Sequence, residues 1–159
     1  MNLIPKTCFF TGHRVIGAEA RTAIRESLKR EIINAINDGV TVFIAGGALG
    51  FDMLAAETVI SLKKDFQIQL VLYLPCRNHN MLWGEGDRLR FDNIMSMADE
   101  IYYVTQEEYK DGCMKKRNLA MVEASDMCIA YIKSQHSGTA QTIKMAEAKS
   151  IEIIKIADD

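Results

Sequence analysis

The sequence predicts an α/β protein: a mostly parallel, six-stranded sheet with helices on both faces, in one domain over residues 1–159. Three observations predict it. Short runs of β-branched and apolar residues alternate with amphipathic helical patterns along the whole chain, as in a sheet built from crossover units. No stretch rich in Pro, Gly or Ser interrupts that alternation, and no repeat or low-complexity run is present. Several apolar runs stop abruptly at glycines and small hydroxyl residues, the punctuation expected where a strand turns into a helix.

In order along the chain, Lys6–Phe10 is a short apolar run that reads as the first strand and stops at Thr11-Gly12-His13-Arg14. From Ala18 to Ile36, Ile24, Leu28, Ile32 and Ile36 recur every fourth position while Arg21, Arg25, Glu26 and Arg30 lie elsewhere, which predicts an amphipathic helix. Asn37-Asp38-Gly39 closes it. Val40–Ala45 is a buried strand, Gly46-Gly47-Ala48-Leu49-Gly50 a turn, and a helix follows from Phe51 or Asp52 to about Lys64. Ile68–Leu74 is the third strand, ended by Pro75. The weakly periodic segment Cys76–Asp87 reads as a loop opening into a helix by about Arg88, whose inner face is Ile94, Met95 and Ala98. Glu100–Val104 is a strand and Thr105–Gly112 a polar loop. A helix over Met114–Ala124, a strand over Met127–Tyr131, a loop over Ser134–Thr139, a helix over Gln141–Lys149 and a strand over Glu152–Ile156 complete the pattern.

Composition narrows the function classes. Of 159 residues 48% are hydrophobic and 25% charged, as in ordinary soluble domains. A net charge of −2 gives no electrostatic support to non-specific nucleic-acid binding, although a local basic groove is not excluded by it. No apolar run approaches the ~18 residues that span a bilayer, and MNLIPKTCFF lacks the order of regions in a secretory signal; both point to a cytoplasmic protein without a membrane partner. Cys8, Cys76, Cys113 and Cys128 are scattered and form no ligand-spaced set; Cys8 and Cys128, inside apolar runs, read as buried thiols. His79 and His136 have no ligand-spaced partners, so no metal site is expected.

In an open parallel sheet, ligands bind beyond the carboxyl ends of the strands. Those ends carry Thr11, Gly12, His13 and Arg14 after the first strand, and Gly46, Gly47, Ala48, Gly50 and Asp52 after the second. Pro75 follows the third strand, and Ser137, Gly138 and Thr139 follow the fifth. Glycines and small hydroxyls suit a bound phosphate, because the backbone can approach closely and hydroxyls can donate. The turn into the second helix also offers N–H groups and a positive dipole end to an anion.

Each feature has a structural alternative. Gly12 alone is a tight turn, and the second turn matches neither GxGxxG nor a P-loop, so its glycines suit helix–strand packing equally. Asp52 reads as a helix cap, or as the acceptor of a ribose hydroxyl, since a carboxylate would repel phosphate. Ser137 and Thr139 suit helix capping as well as phosphate. Trp83 reads either as a stacking platform for a base or as a plug at the sheet edge. Lys115-Lys116-Arg117-Asn118 is a solvated helix face or a cation at a pocket rim.

Four motifs together, TGHR (Thr11–Arg14), AGGALGFDMLAAE (Ala45–Glu57), Arg117-Asn118 ahead of Ala124-Ser125-Asp126, and SGTAQTI (Ser137–Ile143), resemble the YpsA-like proteins. These belong to the SLOG superfamily, which groups the DNA-processing protein DprA/Smf with the LOG phosphoribohydrolases. The resemblance implies a bacterial protein with a three-layer α/β/α Rossmann-like fold and strand order 3-2-1-4-5-6. It also implies a site for a nucleotide-derived ligand such as ADP-ribose or NAD, to which Arg14, Arg117 and Asn118 would contribute, in a sensor or regulator.

Two branches of the superfamily offer alternatives. LOG-type hydrolases cleave an N-glycosidic bond with the Arg and Glu of RKxxM and PGGxGTxxE motifs. Here Arg117–Met121 keeps Arg and Met but has Asn118 for Lys, and the second motif fits only as Gly138-Thr139, with Thr142 in place of Glu. The expected carboxylate is missing, although Glu57 or Asp52 could replace it. DprA-like proteins bind single-stranded DNA, for which Arg88, Arg90, Lys115, Lys116 and Arg117 with Trp83 and Phe91 are the available basic and aromatic residues. A homo-oligomer stays open.

Overall fold

A computed structural model describes residues 5–134 and 137–157, and shows one six-stranded, fully parallel sheet between two layers of helices. The strands are β1 (Lys6–Gly12), β2 (Val40–Ala45), β3 (Gln69–Leu74), β4 (Glu100–Tyr103), β5 (Met127–Tyr131) and β6 (Glu152–Lys155). The helices are α1 (Ala18–Asn37), α2 (Phe51–Leu62), α3 (Glu85–Met97), α4 (Cys113–Ala124) and α5 (Gly138–Ala148). Among the described residues no helix is long and apolar enough to cross a membrane.

Strand periodicity sorts the core into two halves. Cys8 and Phe10, Phe43 and Ala45, Leu70, Leu72 and Leu74, and Met127 and Ile129 face one side, where α1, α2 and α3 supply Ile24, Leu28, Val59, Phe91 and Ile94. Phe9, Ile44, Val71, Cys128 and Ala130, at the alternate positions, meet Met121, Val122, Ile143 and Ala146 of α4 and α5 on the other. α2 is buried almost all round and carries the first layer.

The sheet order is β4-β3-β2-β1-β5-β6, which corrects the expected 3-2-1-4-5-6. β4 pairs with β3, Val71 opposite Glu100, and does not pair with β1. The reason is in its composition: Glu100, Ile101 and Tyr102 are exposed, as an edge strand tolerates and a central parallel strand does not. The chain therefore winds outward through α1, α2 and α3 on one face and returns across the sheet, so the direction of winding switches between β1 and β5.

Two strand entries use one device. Asp99 N–H donates to Leu70 O at 2.8 Å and Asp99 Oδ2 accepts from Leu70 N–H at 2.8 Å. Asp126 and Thr7 repeat both bonds at 2.8 Å. The Ala98-Asp99-Glu100 and Ala124-Ser125-Asp126 segments thus each clamp a helix exit to a neighbouring strand. Helix starts differ from the sequence expectation by a turn or less: α3 begins at Glu85 behind Gly84, and α5 at Gly138, because the Ser137 side chain caps it by accepting from Ala140 N–H at 3.1 Å.

Candidate functional site

A cavity of about 290 Å³ opens at the carboxyl ends of β1 and β5, where the winding switches. This is the place at which an open α/β sheet leaves a crevice, because adjacent loops there diverge to opposite faces. Thr11, Gly12, His13 and Arg14 line it from the β1 side, Ser137, Gly138 and Thr139 from the start of α5, and Ala48, Asp52, Arg117 and Asn118 line it as well. Phe10, Met114 and Met121 also line it; the sequence reading met Met121 only as the Met of the compared RKxxM motif and named Phe10 and Met114 for no site. Met114, Arg117 and Met121 share one face of α4 by helical spacing, a signal that was present once Arg117 was chosen. His136 and part of the Ser134–Thr139 loop lie outside the described residues.

Four expected residues stand behind or beside the cavity wall. The Gly46 carbonyl accepts a hydrogen bond from Arg117 Nη1. A Cβ at Gly46 would lie 2.8 Å from that nitrogen and 2.9 Å from Asp52 Oδ2, so the missing side chain is what lets both charged groups close on the turn. The Gly47 carbonyl accepts from His79 Nε2 at 3.1 Å, which fixes the proton of His79 on that nitrogen. Gly50 has φ of 77°, and a Cβ on it would come within 2.2 Å of the Arg14 carbonyl oxygen. With Phe51 N–H donating to His13 O at 3.1 Å, this joins the β1–α1 loop to the β2–α2 turn as one ridge. Pro75 is buried at the end of β3 and does not reach the cavity lining.

The site's electrostatics rest on two buried groups. Asp52 and Arg117 are 6% and 5% exposed, yet no direct ion pair joins them among the described residues. Asp52 Oδ2 accepts from Ala48 N–H at 3.2 Å, and burial pushes its carboxyl up to about 6 against the opposing pull of Arg117, that N–H and Arg14. Burial likewise lowers the Arg117 guanidinium, which Asp52 draws back toward its ordinary value. Arg117 Nε donates to Asn118 Oδ1 at 2.7 Å, holding the fork in place. His13 has a positioning role: its Nε2 accepts from Lys133 N–H at 2.7 Å and its ring packs edge-on against Tyr131, bridging the β1 and β5 loops.

The alternatives raised by the sequence are also placed. Thr142 is fully buried and its hydroxyl donates to Gly138 O at 2.9 Å, so its position faces the core and away from the cavity. Glu57 pairs with Arg90 of α3, whose Nε donates to Glu57 Oε2 at 2.9 Å. Asp52 is left as the carboxylate in the cavity lining. Trp83 packs at right angles to His79 and Phe91, and the three form an aromatic edge beside Arg14 and Arg117. Phe91 is 1% exposed and cannot stack on a base. Among the described residues no three His, Cys, Asp or Glu side chains come together, and the four cysteines are buried as free thiols.

Comparison with known proteins agrees with this architecture. The YpsA family model, described as the YspA SLOG family, matches residues 16–156. That match begins beyond Arg14, so Thr11–Arg14 rest on geometry. A UPF0398 protein of Bacillus cereus is 27% identical over 132 residues, covering 82% of this chain and 72% of that protein. A UPF0398 protein of Bacillus thuringiensis matches with the same identity and coverage. Among solved structures, DNA processing protein A from Helicobacter pylori, described for its single-stranded DNA binding mode, superposes with a TM-score of 0.70 at 18% identity. That alignment covers 96% of this chain and 66% of the other. DprA from Streptococcus pneumoniae superposes with a TM-score of 0.72 at 14% identity, over 96% of this chain and 50% of that one. The chain spans about half to two thirds of these DNA processing proteins, and the likeness is one of fold.

Proposed function

The chain belongs to the YpsA SLOG family, and from that premise we propose that the cavity between the β1 and β5 loops binds a nucleotide-derived ligand of the ADP-ribose or NAD type, as a sensor or regulator. One observation carries the reading: a buried guanidinium and a buried carboxylate sit in one cavity wall without pairing to each other. Leaving two such charges apart costs stability, which a ligand offering an anion to one and hydroxyl donors to the other would offset. A phosphorylated ribose has both groups. Arg117 and Arg14 suit phosphate oxygens, the N-terminus of α5 at Gly138 adds N–H groups and a positive dipole end, and Asp52 suits a ribose diol. At 290 Å³ the cavity is at the small end of the usual range for small-molecule sites, roughly 300–1,000 Å³.

The test is incubation with AMP, ADP-ribose and NAD, reading thermal shift and released base separately. A shift without base release is expected, and Arg14→Ala should reduce it. Base release would replace the sensor with an N-glycosidic hydrolase acting through Asp52. No shift with any of the three would overturn the nucleotide reading.

The fold shared with the DNA processing proteins favours a second reading, binding of single-stranded DNA. Lys115, Lys116 and Arg88 are exposed and could meet a phosphate backbone, whereas Arg117 is buried and Arg90 is engaged by Glu57. This reading requires a gel shift with oligo-dT that weakens steeply as salt rises.

A further inference from the structure

A second cavity of about 230 Å³ lies across the ridge formed by His13, Arg14 and Gly50. Its lining includes Arg14, Arg21 of α1 and Arg90 of α3, with Leu49 and Leu54 among its apolar residues. Arg14 lines this cavity and the first, so the two share one cation. Asp87 is the carboxylate in the lining, and Glu57 engages Arg90 from outside it. Neither Arg14 nor Arg21 makes a side-chain hydrogen bond or ion pair with the described residues. With Arg90 engaged by Glu57, Arg14 and Arg21 outweigh Asp87, so the cavity is locally positive in a chain of net charge −2.

We infer that this second cavity is the subsite for the distal, phosphorylated half of an extended ligand whose nucleoside half occupies the first. The inference rests on the nucleotide reading of the first cavity. The geometry limits the ligand class. A mononucleotide is satisfied by the first cavity, and nothing in its binding requires Arg21. A molecule with two halves joined by a diphosphate would cross the ridge at Arg14, placing bridging phosphates on the shared guanidinium. Its second sugar would then rest on Leu49 and Leu54, with Arg21 reading the phosphate on that side. The ridge itself is rigid, because Phe51 N–H bonds to His13 O and Gly50 abuts the Arg14 carbonyl, so the two subsites keep a fixed separation.

Calorimetric titration of AMP and of ADP-ribose into the wild type and Arg21→Ala separates the claims, since the two probes share the adenosine half. Arg21 is exposed on α1, and an unchanged melting temperature will confirm that the variant folds. The expected result is that Arg21→Ala weakens ADP-ribose by roughly tenfold or more and leaves AMP within about twofold. Unchanged ADP-ribose affinity in the variant, with AMP binding intact, would overturn the second subsite alone. Equal weakening of both probes would also overturn it, by showing that Arg21 acts on the first cavity. If wild type binds neither probe, the nucleotide reading falls and the subsite with it. Loss of oligo-dT binding in Arg21→Ala, with ADP-ribose unaffected, would reassign the cavity to a nucleic-acid backbone and overturn the diphosphate assignment.

Discussion

Replacing Asp52 by Asn should make the protein more stable at neutral pH. In the folded state burial raises this carboxyl from an ordinary 3.8 to about 6, so between those values the native protein holds a proton that the unfolded chain has released, and at neutral pH it carries a buried charge. Stability from this group is therefore fully present below pH 3.8 and is lost as pH rises through about 6. At ~1.36 kcal/mol per pH unit, the penalty at pH 7 is on the order of 3 kcal/mol. Asn retains an oxygen for the Ala48 N–H, so Asp52→Asn should recover most of that amount. For a chain of this size it corresponds to a rise in Tm of about 5–10 °C. The assay is urea unfolding of both proteins at pH 3.5, 5 and 7. The stability difference should be small at the lowest pH and grow across the window. A difference independent of pH, or a variant less stable at pH 7, would refute the reasoning. The stabilised variant should bind ADP-ribose at least tenfold more weakly, because a carboxylate kept against stability is kept for a ligand.

Other expected outcomes test the wall, the ridge and the clamps. Gly138 opens α5 and a Cβ there would meet no atom of the described residues within 4 Å, so Gly138→Ala should leave Tm unchanged or slightly higher while weakening nucleotide binding in calorimetry. Gly50→Ala combines a φ of 77° with a Cβ 2.2 Å from the Arg14 carbonyl oxygen, and should cost about 2 kcal/mol or more in urea unfolding. Asp126→Ala strips the Thr7 N–H of its partner and should cost about 1–3 kcal/mol, with faster amide exchange at Thr7 as the specific sign.

How much of this was legible in the sequence follows from which forces act locally. β2 and β5 were readable to the residue because a buried parallel strand is a continuous apolar run with abrupt ends. The loops after β1 and β5 were readable as glycines and hydroxyls, and the structure brings them together across the switch point. The strand order was not readable from the resemblance, although Glu100 and two tyrosines in a four-residue strand already spoke for an edge. Asp52 shows the deeper limit. At the start of a helix it reads as a cap or a ribose acceptor, and only the packing of Gly46 and Arg117 around it makes it a buried acid. The second cavity was invisible for the same reason: Arg21 and Arg90 belong to different helices, and only the folded chain places them around the turn at Leu49 and Gly50.

The most direct test of the nucleotide site is a crystal structure with ADP-ribose at millimolar concentration. The expected density fills the crevice between Thr11–Arg14 and Ser137–Thr139, with phosphate oxygens on Arg14 and Arg117 and a ribose hydroxyl on Asp52. An empty crevice at that concentration, or ADP-ribose bound on another face of the sheet, would contradict it.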